Sequence, residues 1–459
     1  MDRWTRRAFV AAALAAGACQ RLERPPLGSI YRPALPAADQ PPLVLVPGAF
    51  GSRLKDQRTG REIWPGTPAE LLTSNYRGLE LDIDADSLEP LCADVEAYAV
   101  FRAGLGRDFY GQVLDTLQRA GGYRRCQPGV PPPDGVRGFY AYCYDFRLDN
   151  VRAARGLKAL IEQIRADHGD PKLRVDVVAH SNGGLLARYY ARYGDADLPE
   201  SGPFHPTGAG CSSIRRLVLV GTPNLGTMQP VLSYLRGEEV GLRHIPPEVI
   251  ATCTGAAQMM PHPAVPWILD VGGNRIDADL YDFRTWQDFG WSLYDDRVVE
   301  RTIDRHGGGG AGRRYLAMLR LYTDKHLVRG RRFAESLDVP APDAEPPLYV
   351  FGGDCELTLA RLALESEGGR LRGRERVADI AQPSPHVDYE RLMFEPGDTV
   401  VTRSSLLGRR TRNVAAPRTE IESLPIAHSV FLCEQHQHLT GNASFQDNLL
   451  NALLSVDGV

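Results

Sequence analysis

One short segment, residues 175–185 (VDVVAHSNGGL), constrains the fold more than any other part of the sequence. A continuous apolar run ends at Ala179, and a helical pattern begins just after Gly184. A strand that turns directly into a helix needs small residues at the crossing and strains the residue at its centre, whose side chain then points outward. The segment therefore predicts that Ser181 is an exposed nucleophile. The alternative is a plain Ser-Gly turn.

Further apolar runs alternate with segments of helical periodicity along the chain. These runs are residues 43–46, 139–144, 217–220, 348–351 and 430–433. Continuous apolar runs are typical of strands buried on both faces of a parallel sheet, whose connections are usually helices. A serine on a strand-turn-helix of such a sheet is the nucleophile elbow of the α/β-hydrolases. The sequence thus predicts an α/β-hydrolase fold, with a mostly parallel central sheet, helices on both faces and an inserted cap or lid region.

The chain of 459 residues is long enough for two or three domains, but we interpret residues 42–459 as one catalytic domain. Residues 224–340 are rich in Pro, Gly, Trp and Met and break the alternation of strands and helices. We expect this stretch to be a cap inserted into the sheet domain. A separate small domain is the alternative.

The first residues resemble a bacterial export signal. Residues 1–19 contain three arginines, a short apolar run and Cys19, and residues 5–10 (TRRAFV) resemble a twin-arginine motif. Small residues before Cys19 resemble the site at which a lipoprotein cysteine is lipidated, although Ala16 stands where Leu is usual. We therefore expect an exported protein, periplasmic or anchored to a membrane as a lipoprotein, with a secreted form as the alternative. A Pro-rich linker, residues 20–41, follows.

Export places the remaining cysteines in an oxidising compartment. Seven of the eight cysteines follow Cys19, so at least one is expected to be unpaired. Spacing does not fix their connectivity, but Cys126 and Cys143 flank a proline-rich turn and predict a local disulfide. The cysteine spacing gives no zinc motif, and we predict neither a metal nor a cofactor.

A serine nucleophile needs a base to take its proton and a carboxylate to orient that base. In this fold the acid follows the nucleophile in the chain and the histidine comes last. Asp398 lies after the expected cap and is the preferred acid, with Asp354 as the alternative. His436 and His438 both follow the last apolar run, at the sheet edge where ligands bind. His436 is preferred and His438 is the alternative.

The oxyanion of an ester intermediate needs two backbone N–H donors, one from the residue after the nucleophile and one from a loop after an early strand. Asn182 is the first, and Ala49, in the turn after residues 43–46, is the second. Residues 306–310 (HGGGG) are similar to an esterase oxyanion loop but follow the nucleophile in the chain. We predict a flexible linker there.

Several segments in this order resemble the lecithin:cholesterol acyltransferase family, a lipase and acyltransferase branch of the α/β-hydrolases. The resemblance covers about residues 42–454. The segments are residues 46–54 (VPGAFGSRL), 144–147 (YDFR), 179–184 (AHSNGG), 221–226 (GTPNLG), 258–261 (QMMP) and 397–400 (GDTV), together with His436, Leu439 and Asn442. Asn182 is a departure, since Met is common there in the family.

The resemblance implies a serine-dependent lipid ester hydrolase or O-acyltransferase, of the phospholipase A or lecithin:cholesterol acyltransferase kind, working through an acyl-enzyme on Ser181. The implied substrate is a lipid ester, which we expect to be a phospholipid, with an alcohol as the acyl acceptor in the transferase case. Contact with a membrane would be peripheral. An exported carboxylesterase or triacylglycerol lipase is the nearest alternative, followed by a catalytically silent surface lipoprotein. The formal net charge of −4 gives no reason to expect nucleic acid as a partner.

Overall fold

The computed structural model describes residues 39–67, 76–92, 94–104, 107–240, 243–340, 342–411 and 421–454, together with residues 27, 36 and 37. The predicted export signal, including Cys19, lies outside the described residues, as does most of the predicted linker.

The centre of the molecule is a sheet of seven parallel strands. In chain order these are β1 (Leu43–Val46), β2 (Tyr123–Arg125), β3 (Arg137–Ala141), β4 (Val175–His180), β5 (Ile214–Val220), β6 (Leu348–Gly353) and β7 (Ile426–Leu432). Their order across the sheet is β7-β6-β5-β4-β1-β3-β2. Every predicted apolar run lies wholly or partly in one of these strands.

The helices in the described ranges from residue 39 onward are, in chain order, α1 (Gly111–Arg119), α2 (Asn150–Asp167), α3 (Asn182–Tyr193), α4 (Gln229–Arg236), α5 (Pro247–Ile250), α6 (Thr254–Ala257), α7 (Phe283–Phe289), α8 (Asp296–Arg305), α9 (Gly309–Ser336), α10 (Tyr389–Met393), α11 (Arg403–Leu406) and α12 (Ala443–Leu454). None of the helices in the described part of the chain is both long and apolar enough to cross a membrane.

The central strands of the sheet are buried on both faces because most of their residues are apolar. Along β1, Val44 and Val46 pack in the cluster that contains residues of α2 and α3, whereas Leu43 and Leu45 pack in the cluster of α1 and α12. Successive side chains of a strand point to opposite faces, so helices cover both sides. Together with the parallel topology, this confirms the predicted α/β fold class.

Long insertions interrupt the alternation of strands and helices, and residues 354–425, between β6 and β7, are one of them. Residues 47–122, between β1 and β2, include a small antiparallel sheet of Ser52–Asp56, Glu62–Trp64 and Val95–Val100. Residues 221–347, which we call the β5–β6 insertion, contain α4 to α9. The expected cap, residues 224–340, lies inside this insertion, and its role as a cap stays a prediction.

Further short strands lie outside the central sheet. They are Asp82–Ile83, Pro90–Leu91, Ala103–Gly104, Arg107–Asp108, Glu238–Val240, Arg243–Ile245, Ile268–Asp270, Glu356–Leu359, Leu362–Glu367, Arg370–Arg374, Phe394–Gly397, Arg410–Thr411 and Ile421–Glu422.

The prediction of a flexible linker at residues 306–310 is wrong. His306 ends α8, and α9 begins at Gly309 and runs for 28 residues. Gly307, Gly308 and Gly309 all have positive φ values, of 90°, 64° and 41°. Glycine adopts this conformation without a steric penalty, so the glycine run encodes a tight turn between two helices.

The predicted Cys126–Cys143 disulfide is also wrong. Both of these cysteines are free, and the disulfide in the structure joins Cys355 to Cys433 across 78 residues of sequence, with 5.2 Å between the Cα atoms. Cys355 lies just beyond β6 and Cys433 just beyond β7, and these strands are neighbours in the sheet. The pairing follows from strand adjacency, which cysteine spacing does not reveal.

The crossing of α3 over the turn after β1 is a close backbone contact that the predicted elbow requires. A Cβ atom on Gly183 would lie 2.5 Å from the carbonyl oxygen of Pro47 and 2.8 Å from that of Val46. We expect Gly183→Ala to lower the free energy of unfolding by about 1–3 kcal/mol, because backbone oxygens cannot move aside as a side chain can. Chemical denaturation would measure the change.

Gly310→Ala is the matched control for this substitution. Gly310 also lies at a helix start, but its Cβ would meet only the Nη1 atom of Arg314, at 3.4 Å. We expect a neutral effect or a stabilisation of up to about 1 kcal/mol, from the higher helix propensity of Ala. Equal effects of the two substitutions would contradict the packing argument.

Candidate active site

Ser181 lies at the sharp turn between β4 and α3, in the backbone conformation expected of an elbow. Its φ and ψ are 54° and −126°, which an L-residue adopts only under strain. The Ser181 N–H donates to the carbonyl of Val220 in the neighbouring strand β5, at 2.7 Å. The turn therefore presents the hydroxyl beyond the carboxyl edge of the sheet.

The side chains of His436 and Asp398 join Ser181 in one chain of hydrogen bonds. The Nε2 atom of His436 lies 3.0 Å from Ser181 Oγ, and its Nδ1 atom lies 2.8 Å from Asp398 Oδ2. A carboxylate only accepts, so Nδ1 of the neutral imidazole carries the proton and Nε2 can accept the serine proton. This is the arrangement that activates a serine hydroxyl.

Asp398 is fixed by the turn that follows it. Its Oδ1 atom accepts the N–H groups of Val400 at 3.0 Å and Val401 at 2.6 Å, and Thr399, between Asp398 and Val400, has a positive φ of 80°. The His436 N–H also donates to the Asp398 carbonyl oxygen, at 2.7 Å. Only 1% of Asp398 and 8% of His436 is exposed, so water competes little for these bonds.

The two alternative candidates lie outside this chain of hydrogen bonds. The side chain of His438 is 45% exposed and its Nδ1 atom lies 3.8 Å from Glu434. Asp354 lies 3.4 Å from the guanidinium of Arg403. The structure therefore brings together Ser181, Asp398 and His436, and does not bring His438 or Asp354 to the serine.

The proposed oxyanion donors lie on either side of Ser181. Asn182 is the first residue of α3, where N–H groups have no acceptor within the helix. Ala49 lines the same cavity as Ser181, in the turn after β1. A Cβ atom on Gly48 would lie 2.8 Å from the Cβ of Ser181, so this turn runs directly against the serine.

Sequence reasoning missed Tyr110, which immediately precedes α1. Its hydroxyl contacts both the Gly48 N–H, at 2.8 Å, and His180 Nδ1, at 2.7 Å. His180 lies half-buried beside the His436 ring, with 4.9 Å between the ring centroids, and burial of its imidazole lowers its pKa to about 3. No motif or spacing in the sequence signals this contact.

Ser181 lines a cavity of about 540 Å³. Its lining is mainly apolar. The large apolar lining residues outside the β5–β6 insertion are Phe50, Trp64, Leu79, Phe101, Phe109 and Phe146. The insertion contributes Val240, Ile245, Val249, Ile250 and Met259. Within the described residues no cluster of three or more His, Cys, Asp or Glu side chains could hold a metal ion.

The parallel sheet, the elbow and the order of nucleophile, acid and histidine define an α/β-hydrolase. The family model described as "Lecithin:cholesterol acyltransferase" matches residues 135–302. This confirms the predicted resemblance over the part of the chain that carries the elbow and most of the β5–β6 insertion. Fold and family resemblance together indicate an enzyme that acts on esters, by hydrolysis or acyl transfer.

Several solved structures match this chain, and one of them, with a TM-score above 0.5, supports the fold. A chain of the crystal structure of the Tle4–Tli4 complex matches with a TM-score of 0.53 and 14% identity, over 91% of this chain and 98% of that chain. The mature Bacillus licheniformis lipase BlEst2 matches with a TM-score of 0.33 and 11% identity, over 93% and 96% of the two chains. Legionella pneumophila phospholipase PlaB matches with a TM-score of 0.34 and 11% identity, over 76% and 57%. Comparison with curated protein sequences gives no significant match.

Substitution of the three polar residues tests whether they act as a unit. We expect Ser181→Ala to abolish covalent labelling by an organophosphonate, and Asp398→Asn and His436→Ala each to lower kcat by about 10³-fold or more, because each removes part of one proton path. Fluorophosphonate gel labelling and esterase assays would measure this. His438→Ala is the control, and a similar loss there would contradict the assignment of His436.

Proposed function

We propose that this protein is a serine-dependent lipid ester hydrolase or O-acyltransferase that works through an acyl-enzyme on Ser181. The observation that carries the proposal is the continuous hydrogen-bond chain from Asp398 through His436 to Ser181, which opens into a mainly apolar cavity.

The geometry supports a two-step acyl transfer. His436 takes the proton of Ser181 Oγ as this oxygen bonds to the ester carbonyl carbon, and the N–H groups of Ala49 and Asn182 stabilise the resulting oxyanion. When the intermediate collapses, the ester C–O bond breaks and His436 gives its proton to the departing alcohol. Water or an acceptor alcohol then attacks the acyl-enzyme, with His436 again as the base.

The cavity lining supports a lipid as the acyl donor. Most of the lining side chains outside the β5–β6 insertion are apolar or aromatic, and the insertion adds aliphatic ones. An acyl chain buries apolar surface there at about 25 cal/mol per Å². In this proposal the insertion acts as the cap that shapes the lipid site, and the substrate is a phospholipid or another acyl ester.

Export of the protein is part of the same proposal and rests on the sequence of residues 1–19. Removal of the signal would leave the enzyme in the periplasm, on a membrane through lipidated Cys19, or secreted. A lipid tether would keep the active site near its substrate without a spanning helix.

A substrate panel tests the proposed function. We expect purified protein to hydrolyse a medium-chain phospholipid or diacylglycerol with a kcat/KM at least about tenfold above that for p-nitrophenyl acetate, because only the longer chains fill the apolar cavity. Assays with and without an alcohol would separate hydrolysis from transfer. Activity confined to the acetate ester favours the carboxylesterase alternative, and an unlabelled, inactive protein favours the silent lipoprotein.

Charge in the cavity predicts which lipids react best. Among the described lining residues, Arg147 is the one arginine or lysine, and its guanidinium binds both oxygens of Asp145, at 2.9 and 2.7 Å. Glu238 and Glu239 also line the cavity. The nearby charge is therefore net negative, so a lipid with an anionic head group is disfavoured relative to a zwitterionic or neutral one.

Glu238→Gln tests this charge effect. Glu238 Oε2 accepts from Gln229 at 2.9 Å and Ser233 at 2.6 Å, and a glutamine oxygen can accept both bonds. We expect the kcat/KM for dihexanoyl phosphatidylglycerol to rise about fivefold, which corresponds to about 1 kcal/mol of like-charge repulsion, while that for dihexanoylglycerol stays unchanged. Measurements below the critical micelle concentration would exclude effects of surface charge.

Glu239→Gln is the control for the charge prediction. The side chain of Glu239 is 69% exposed and lies 3.1 Å from His244, so solvent screens its charge more strongly. Its effect should be the smaller of the two. An equal rise for the neutral and the anionic lipid in Glu238→Gln would contradict the prediction.

A further inference from the structure

A buried phenol links the turn after β1 to the nucleophile elbow. Tyr110 immediately precedes α1 and is only 3% exposed. Its hydroxyl lies 2.8 Å from the backbone nitrogen of Gly48 and 2.7 Å from Nδ1 of His180. Gly48 precedes the proposed oxyanion donor Ala49. His180 precedes the proposed nucleophile. One oxygen atom thus contacts the residue before each of the two groups that act on the ester.

The direction of the first of these bonds is fixed by chemistry. A backbone N–H can only donate, so the phenol oxygen accepts from Gly48 whichever nitrogen of His180 carries the proton. Burial raises the pKa of the Tyr110 phenol and lowers the pKa of His180 to about 3, so both groups are neutral in the range where esterases are assayed. The link therefore does not depend on pH there.

Close packing on two sides restricts the position of the turn after β1. A Cβ on Gly48 would lie 2.8 Å from Ser181 Cβ and 3.2 Å from His180 Nδ1, and a Cβ on Gly51 would lie 3.0 Å from the Tyr110 hydroxyl. The turn is held between the elbow on one side and the phenol on the other. If the turn shifted by a few tenths of an ångström, the Ala49 N–H would move by a similar distance relative to the oxyanion.

We propose that Tyr110 is a positioning residue, whose hydroxyl fixes the Ala49 N–H over the reacting carbonyl by holding Gly48 against the elbow. The proposal rests on the proposed function, because it assigns a role in the same acyl transfer. It predicts that loss of the hydroxyl weakens transition-state stabilisation and leaves substrate binding intact.

Tyr110→Phe tests the proposal because it removes one oxygen and keeps the ring. We expect kcat for p-nitrophenyl butyrate to fall about 10- to 100-fold with KM unchanged, less than the 10²- to 10³-fold typical for loss of a whole oxyanion donor. The rate of organophosphonate labelling should fall by the same factor, since that reaction also builds negative charge on the oxyanion. Complete labelling gives the concentration of active sites, so kcat is corrected for any unfolded protein.

Tyr193→Phe separates positioning from simple loss of a buried hydrogen bond. The Tyr193 hydroxyl donates to the Ser336 carbonyl at 2.8 Å, at the far end of α3. Both variants should lower Tm by a similar amount, but only Tyr110→Phe should lower kcat and the labelling rate. An active wild type with no kcat loss in Tyr110→Phe, or equal losses in both variants, overturns the positioning role alone. An inactive, unlabelled wild type overturns the proposed function and this role with it.

Discussion

The close approach of three backbone segments around Ser181 is the constraint on which the rest of the site depends. The strained turn at Ser181 lies against Gly48, and the first turn of α3 lies against the carbonyls of Val46 and Pro47. Neither approach is possible if a side chain intervenes, so Gly48 and Gly183 set the distance between the turn after β1 and the nucleophile. Strain at one residue is then tolerated because the neighbouring strands and helices determine its position.

The proposed acid and base reach this point from two neighbouring strands on one side of β4 and β5. Asp398 follows a long excursion after β6, and His436 follows β7. The Cys355–Cys433 disulfide ties the chain just beyond these two strands, three residues before His436. The backbone hydrogen bond from the His436 N–H to the Asp398 carbonyl adds a second tie, between the two residues themselves. The base is thus held by covalent and hydrogen-bonded links, while the cavity beside it is lined by side chains of the β5–β6 insertion.

Local patterns in the sequence predict six of the seven strands of the central sheet and the candidate residues. A strand that is buried on both faces has an apolar run as its sequence signal. The sequence contains no such run at β2, because only Tyr123 of its three residues is buried. The run at 139–144 was extended too far because Tyr142 and Tyr144 are also apolar, although they follow the strand. Long-range partners carry no local signal. The Cys355–Cys433 disulfide and the contact of Tyr110 with Gly48 depend on how distant segments pack, and neither spacing nor periodicity reports that.

Asn182 shows how a departure from a family motif can leave the chemistry of a site unchanged. An oxyanion donor at this position needs only the backbone N–H, and the side chain points away from the cavity. The amide groups of Asn182 and Asn150 exchange two hydrogen bonds, of 2.9 and 2.8 Å, and Asn182 also donates to the Tyr144 hydroxyl. The Asn150 N–H in turn donates to Gln258 of the β5–β6 insertion, at 2.7 Å.

All of these residues are buried, so their polar groups have to be paired, and the pairs connect the elbow to the insertion. A methionine at position 182 could not take part in these bonds. The asparagine therefore belongs with Asn150 and Gln258 to one buried polar group that attaches the insertion to the elbow, and the backbone N–H proposed as the oxyanion donor does not depend on that side chain.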